Sequence, residues 1–279
     1  MISIVICSRA SEISAELRQN IGETIGSDYE LVVIDNSGNG YSIFSAYNEG
    51  VRRSKGDILC FMHEDILFKS KDWGKAVNEI FKDSSIGLIG VSGAHFLPSC
   101  PLYWTESPFI TTTNVDKIDG QEVREYKKEL MNGAEIVDAV ACDGQWLCMR
   151  KNQFDNVRFD EVTFTGFHLY DMDICLQVLQ QGMRVCVVDG IQVEHHSRGN
   201  FDERFEAALG IFYNKWKDFL PLWRGLDSVP QYSLEKIDSV YKSNHFLYGK
   251  NRQIYKSNNY RLGYYLLLPF RKLKTLIQK

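Results

Sequence analysis

Gly56-Asp57-Ile58-Leu59-Cys60-Phe61-Met62-His63-Glu64-Asp65 changes character abruptly in its last three residues. Ile58 to Met62 is an unbroken apolar run, the pattern of a strand buried on both faces of a parallel sheet. His63, Glu64 and Asp65 then fall at its carboxyl end. In open α/β sheets ligands bind at that edge, because the loops leaving the strands line a crevice there. Two carboxylates beside a buried strand need a cationic neighbour, since a desolvated anion is stable only when paired or coordinated. A divalent metal carrying a phosphate meets that need. The competing reading has Asp65 capping the next segment while His63 and Glu64 face water.

The pattern repeats upstream. Ile2 to Cys7 reads as a first strand, followed by polar Ser8-Arg9-Ala10-Ser11 and a helix with Leu17 and Ile21 on one face, capped by Ser11 or Ser14. Glu30 to Ile34 reads as a second strand that ends in Asp35-Asn36-Ser37-Gly38-Asn39-Gly40. An acid at that point accepts hydrogen bonds from a ribose or base in nucleotide-binding α/β units; alternatively it only holds an Asx-type turn. Ser45 to Ser54 reads as a helix, in which Gly50, costing roughly 1 kcal/mol against Ala, signals close packing on a strand. Strand and helix alternating through short loops build a parallel sheet.

Downstream, Trp73 to Phe81 reads as an amphipathic helix and Ile86 to Val91 as a fourth strand. From Ser92 to Asn114 the periodicity dissolves, as in a binding loop, and Tyr103 and Trp104 there either stack on a sugar ring or pack the loop down. Ala134 to Ala141 and Gln145 to Met149 read as strands around Cys142-Asp143-Gly144, with Asp143 either facing the crevice or serving the turn. His168, Asp171 and Asp173 precede or open a helix that Gly182 closes. Unpaired amides and the helix dipole favour one acid there, so one carboxylate is assigned to the cap and the other to chemistry. His195 and His196 follow another strand; adjacent side chains point in opposite directions, so at most one faces the crevice.

The net charge of −4 provides no global basic field for nucleic acid. Six of the seven cysteines lie in apolar stretches, and no C-x-x-C pair occurs; core thiols in a reducing cytoplasm are expected, without zinc or a disulfide framework. No apolar segment reaches the roughly 20 residues needed to span a bilayer. Residues 201 to 223 read as a packing helix. From Lys242 onward nine basic residues face no acidic ones, leaving −13 on residues 1–241, and Tyr264-Tyr265-Leu266-Leu267-Leu268-Pro269-Phe270 sits beside Arg271 and Lys272. That combination suits the surface of an anionic membrane, or a helix with a solvated basic face.

Taken in order, Ile2 to Arg9, Val32-Val33-Ile34-Asp35-Asn36-Ser37, Asn48-x-Gly50 with Gly56-Asp57, His63-Glu64-Asp65, and Phe159-Asp160-Glu161 through Asp173 resemble the family 2 glycosyltransferases. The resemblance implies an α/β fold of GT-A type, a mostly parallel Rossmann-like sheet flanked by helices, over residues 1–200, with a helical extension over 201–279. It implies an inverting transfer of sugar from a nucleoside-diphosphate donor, a UDP- or GDP-sugar, to a hydroxyl of a glycan or lipid-linked acceptor. Asp35 aligns with the acid that binds the base. Ser8, Arg9, Asn36, Asn48, His63 and Glu64 belong with it on the donor side. Asp65 aligns with the last acid of the D-x-D motif that holds Mn²⁺ or Mg²⁺, with His195 or His196 as further ligands. Asp171 aligns with the base that deprotonates the acceptor, and Asp143, Trp104, His168 and Asp173 fall on the acceptor side. Two positions depart from the family pattern. His63 stands where the first D-x-D acid is expected, and Tyr170 stands where a glutamate precedes the base. Imidazole suits Mn²⁺ better than Mg²⁺, so His63 either joins the metal or touches ribose or phosphate. The competing classes are a nucleotidyltransferase, which would need the glycine-rich phosphate loop that Ser8-Arg9-Ala10-Ser11 lacks, and a non-catalytic carbohydrate- or nucleotide-binding module.

Overall fold

The computed structural model describes residues 1–118, 121–123, 127–197 and 202–256. In chain order the first half holds β1 (Ile2–Ser8), α1 (Ala15–Thr24), β2 (Tyr29–Asp35), α2 (Ile43–Arg53), β3 (Ile58–Met62), β4 (Ile66–Phe68), α3 (Trp73–Ile80) and β5 (Ile86–Gly90). Short strands follow: β6 (Ser92–Ala94), β7 (Phe96–Leu97), β8 (Ile110–Thr112), β9 (Val115–Ile118) and β10 (Gln121–Val123). Then come β11 (Ile136–Ala139), β12 (Ala141–Cys142), β13 (Trp146–Arg150), α4 (Tyr170–Gln180), β14 (Arg184–Val188), β15 (Val193–His195), α5 (Glu203–Trp216), β16 (Leu222–Trp223) and α6 (Gln231–Lys256).

A seven-stranded sheet in the order β11-β14-β5-β13-β3-β1-β2 forms the centre. Strands β1, β2, β3, β5 and β14 run in one direction, whereas β13 and β11 are antiparallel to their neighbours. The mostly parallel core expected from the sequence is therefore present, with two reversed strands. Burial on both faces explains why β1, β3 and β5 read as nearly continuous apolar runs. Ile4, Ile6, Cys60 and Met62 pack toward α1 and α3, while Val5, Leu59 and Phe61 pack on the opposite face with Tyr47, Phe159 and Met172. Gly50 does what its position suggested: a Cβ there would lie 2.1 Å from a Val5 methyl, so α2 approaches β1 closely. Ser14 caps α1 and Ser42 caps α2, each accepting an N-terminal amide hydrogen bond.

Two expectations change. Residues 92–114 are largely buried and supply strands to small side sheets, β12-β6-β8 and β16-β7, so the segment is part of the core rather than a free loop. Cys60 and Cys148, expected as thiols, form a disulfide. They oppose each other across β3 and β13, a pairing 88 residues apart in sequence that no local spacing announces. The helix assigned to the extension, α5, sends Phe205, Phe212 and Trp216 into the main core cluster. Asp238 of α6 is buried and accepts hydrogen bonds from Ser99 N (2.6 Å) and its hydroxyl, which docks the last helix on the domain. No helix among the described residues is long and apolar enough to cross a membrane. The segment Tyr264 to Lys272 lies outside the described residues.

Candidate active site

Register places the strand ends level. Ser8 pairs with Asp35 and Ile6 with Met62, so Ser8-Arg9, Asp35-Asn36 and His63-Glu64-Asp65 leave the sheet along one edge. The Asp143-Gly144 turn and the N-terminus of α4 close the same edge from the other side. Between them lies a cavity of about 450 Å³ lined by Arg9, Asn36, His63, Asp65, Tyr103, Asp143, His168 and Asp171, among others. That volume suits a small-molecule ligand.

His63, Asp65 and His195 cluster at one end. Nδ1 of His63 lies 3.4 Å from Nε2 of His195 and 3.9 Å from Oδ1 of Asp65, and His195 Nε2 lies 3.5 Å from the same oxygen. His195 arrives there because β15 pairs with β4, setting it opposite Ile66. A point equidistant from the three atoms is about 2.1 Å from each, the bond length of a divalent ion to nitrogen or oxygen. Burial opposes ionisation of Asp65, yet hydrogen bonds from His195 and Ser197 hold its carboxyl well below the usual range. Burial, reinforced by the neighbouring His195, pushes His63 down and keeps its ring neutral. An anionic oxygen and a neutral imidazole are the forms a cation needs, and two nitrogens beside one carboxylate favour Mn²⁺ over Mg²⁺. The residues therefore fit the divalent ion that the resemblance implies.

Asp171 lies across the cavity, 3 % exposed, in the first turn of α4. Burial, followed by the charge of Asp143, raises its carboxyl to about 7 against the amide of Gly144, which donates to Oδ2 (3.2 Å). The Tyr103 hydroxyl reaches the same oxygen at 3.4 Å. Leu169, just before the helix, adopts φ +67, a left-handed conformation rare for a branched side chain, at the point where the chain turns into α4. Asp143 is both things the sequence allowed: its Oδ1 accepts from Gln145 N within the turn, and the residue lines the cavity.

Other candidates are occupied elsewhere. Glu64 lines the cavity but is spent on the loop after β1, accepting from Ser8 Oγ (2.6 Å), Arg9 N and Arg9 Nε. Asp35 is exposed, and its Oδ1 accepts from Ser37 N in an Asx turn beside the cavity-lining Asn36. Asn36 braces that loop through reciprocal hydrogen bonds with the backbone of Tyr41. Four assignments need correction. Asn48 does not reach the donor side, because its amide clamps the Phe159 backbone on the far side of α2. His196 turns away from the cation cluster to Glu194 (2.7 Å), as alternation along β15 requires. Trp104 is buried and packs in the core. Asp173 accepts from Trp216 Nε1 (2.8 Å) and Gln177 and pairs with Lys215 (2.7 Å), which makes it a strut between α4 and α5 rather than part of an acceptor site. The N-cap position of α4 is Leu169, and both acids fall in the first turn of the helix.

The sequence reading passed over two aromatic contributors, Phe205 and Phe167. Tyr103 and His168 each meet Phe205 edge-on, at ring separations of 5.1 and 5.4 Å, so α5 supplies part of the cavity wall. Phe205 lay on a stripe that reads only as packing. Half-exposed Phe167 also lines the cavity.

A model of the glycosyltransferase-like family matches residues 3–214. The chain belongs to the glycosyltransferase-like family. It is 28% identical over 162 residues to the streptomycin biosynthesis protein StrF of Streptomyces griseus, an alignment covering 57% of this chain and 54% of StrF. It is 24% identical over 202 residues to ATP synthase subunits region ORF 6 of Fuscovulum blasticum, covering 69% of this chain and 73% of that protein. Among solved structures it resembles GalNAc-T7 crystallised with UDP, GalNAc and Mn²⁺, with a TM-score of 0.52 at 13% identity, over 85% of this chain and 54% of that one. That likeness establishes the fold as GT-A type. The chain thus spans about half the length of StrF and of GalNAc-T7.

Proposed function

We propose that this glycosyltransferase-like chain is an inverting enzyme that moves a sugar from a nucleoside-diphosphate donor to an alcohol of a glycan or lipid-linked acceptor. The observation that carries the reading is Asp171, a buried carboxylate held at about 7 in the cavity that His63 and Asp65 of the His63–Asp65–His195 cluster also line. An alcohol is a weak nucleophile at neutral pH, and a base poised near the working pH takes its proton most effectively. The acceptor oxygen attacks the anomeric carbon from the face opposite the diphosphate. As that C–O bond forms, the bond to the diphosphate breaks, and the proton passes to Asp171. A divalent cation held by His63, Asp65 and His195 would neutralise the charge growing on the departing diphosphate. Arg9, at the rim, adds a further positive group near that charge.

The nucleotide is assigned to the Ser8-Arg9 and Asp35-Asn36 loops. The acceptor is assigned to the side of Tyr103, Asp143, His168 and Phe205, where aromatic faces give a sugar ring apolar contact. The basic, aromatic stretch after Lys242 motivates a membrane-borne acceptor. GalNAc-T7, with the same fold, binds UDP, GalNAc and Mn²⁺, which supports a nucleotide-sugar and a cation here. Incubation with UDP- and GDP-sugars and Mn²⁺ tests the reading. Release of nucleoside diphosphate with glycosylated product supports it; release of pyrophosphate, or binding without turnover, rejects it.

A further inference from the structure

The residue before the proposed base is Tyr170, and its buried hydroxyl touches two groups. It donates to the Gly144 carbonyl at 3.0 Å and lies 2.7 Å from Nε2 of His63. A phenol has one proton, and a carbonyl oxygen can only accept. The Gly144 contact consumes that proton, so the His63 contact must run the other way, with Nε2–H donating to the phenolic oxygen. The lone pair of the imidazole is then on Nδ1, the nitrogen facing His195 and Asp65. A histidine coordinates only through its unprotonated nitrogen, and the partner of the other nitrogen decides which one that is.

We propose that Tyr170 is a positioning residue that fixes His63 as its Nε2–H tautomer and so presents Nδ1 to a divalent cation. A second observation points the same way. A Cβ on Gly144 would lie 2.1 Å from the Tyr170 hydroxyl and 2.4 Å from Cζ, so the side-chain space at position 144 is occupied by the end of the phenol. The backbone of His63 is tied to the same turn, donating to Gln145 O at 3.0 Å. The opposite tautomer would take the phenol's proton away from the buried Gly144 carbonyl, and a buried acceptor without its donor costs about 1–3 kcal/mol. Gly144 also donates its amide to Asp171, so consecutive residues of α4 grip the two ends of one glycine, Tyr170 at the carbonyl and Asp171 at the amide. The cation arm and the base arm of the cavity are thereby held to a common backbone unit.

The proposal rests on the cation reading of His63, Asp65 and His195, but its first test does not need a metal. In the metal-free, ¹⁵N-labelled full chain, two-bond proton–nitrogen correlations assign the tautomer, with His63→Gln identifying the resonances. His63 is expected to show a protonated Nε2 and a bare Nδ1. Tyr170→Phe, which keeps the ring and removes only the hydroxyl, should redistribute the tautomers and weaken Mn²⁺ binding, followed by electron paramagnetic resonance, by about 10- to 100-fold. Gly144→Ala, which pushes the phenol aside, should do the same. A wild-type His63 protonated on Nδ1, or a Tyr170→Phe protein with unchanged tautomer or unchanged Mn²⁺ affinity, overturns the proposal. A wild-type protein that takes up no Mn²⁺ overturns the cation reading beneath it, and the tautomer result then tells the two failures apart.

Discussion

Replacing Asp171 with Asn should nearly abolish turnover and at the same time stabilise the protein at alkaline pH. Both effects come from burying one carboxylate. Its folded-state value of about 7 is raised from the ordinary 3.8, with burial as the largest cause. Between those values the unfolded chain has released a proton that the native protein still holds. The contribution of Asp171 to native stability is therefore greatest below pH 3.8, declines as pH rises toward 7, and stays low above it. The difference corresponds to about 4 kcal/mol lost at pH 8. Asn keeps the shape and can still accept from the Gly144 amide, but it carries no charge to desolvate. At about 2–4 °C per kcal/mol for a chain approaching this size, the variant should melt roughly 8–16 °C above the wild type at pH 8, in metal-free buffer. The advantage should vanish at pH 4, where the wild-type carboxyl is also neutral. Turnover, read as nucleoside diphosphate released, should fall about 10²- to 10⁴-fold with donor affinity unchanged. In the wild type, kcat/KM should climb about tenfold per pH unit up to about 7 and then level, because only the ionised carboxylate accepts a proton. Near-normal turnover in the variant would remove the base assignment. A variant that melts below the wild type at pH 8 would show that Asp171 is held ionised by its surroundings, contrary to the burial argument.

Asp65→Asn and His195→Ala should each lower Mn²⁺ affinity by more than the about 10- to 100-fold typical of losing an outer partner, whereas His196→Ala should leave it unchanged; equal losses in all three would refute the choice of ligands. Tyr103→Ala should raise the acceptor KM several-fold, while Trp104→Ala should cost about 3–5 kcal/mol of stability, measured by urea unfolding, because its ring belongs to the core. Lys215→Met strands the buried Asp173 and its neighbour Asp160, each 2.7 Å from the ammonium, and should cost about 3–5 kcal/mol; a neutral effect would show that this pair is not a strut between helices. Flotation with anionic liposomes should be lost when residues 257–279 are removed, and undiminished flotation would reject that stretch as an anchor.

The divide between what the chain discloses and what it conceals follows the range of the interactions. Strands β1, β3 and β5 were legible because each is buried on both faces and so reads as a nearly uninterrupted apolar run ended by polar residues, and the half-buried edge strand β2 was legible from Leu31 to Ile34. The reversal of β13 was not legible, since a strand buried on both faces shows the same pattern in either direction. The same limit hid the Cys60–Cys148 bridge, which depends on that register alone. At the cavity, residue types at strand ends announced where chemistry belongs, because His63, Asp65 and Asp171 have no local need to be there. Their neighbours misled for a physical reason. Asn48, Glu64 and Asp173 are polar groups near the site that satisfy backbone or charged partners brought in from 111, 55 and 42 residues away. Sequence shows a carboxylate but not the lysine that neutralises it. Pairing of β15 with β4 supplies the remaining case: alternation allows one histidine of the pair to face inward, and only the register His195↔Ile66 decides which. A single-residue slip of that ladder would turn every side chain of β15 to the opposite face, exchanging His195 for His196 beside Asp65 and taking Glu194 away from Lys69, its partner at 2.6 Å. The ion pair at Glu194 and the proposed cation cluster are therefore set by the same register, one on each face of a three-residue strand.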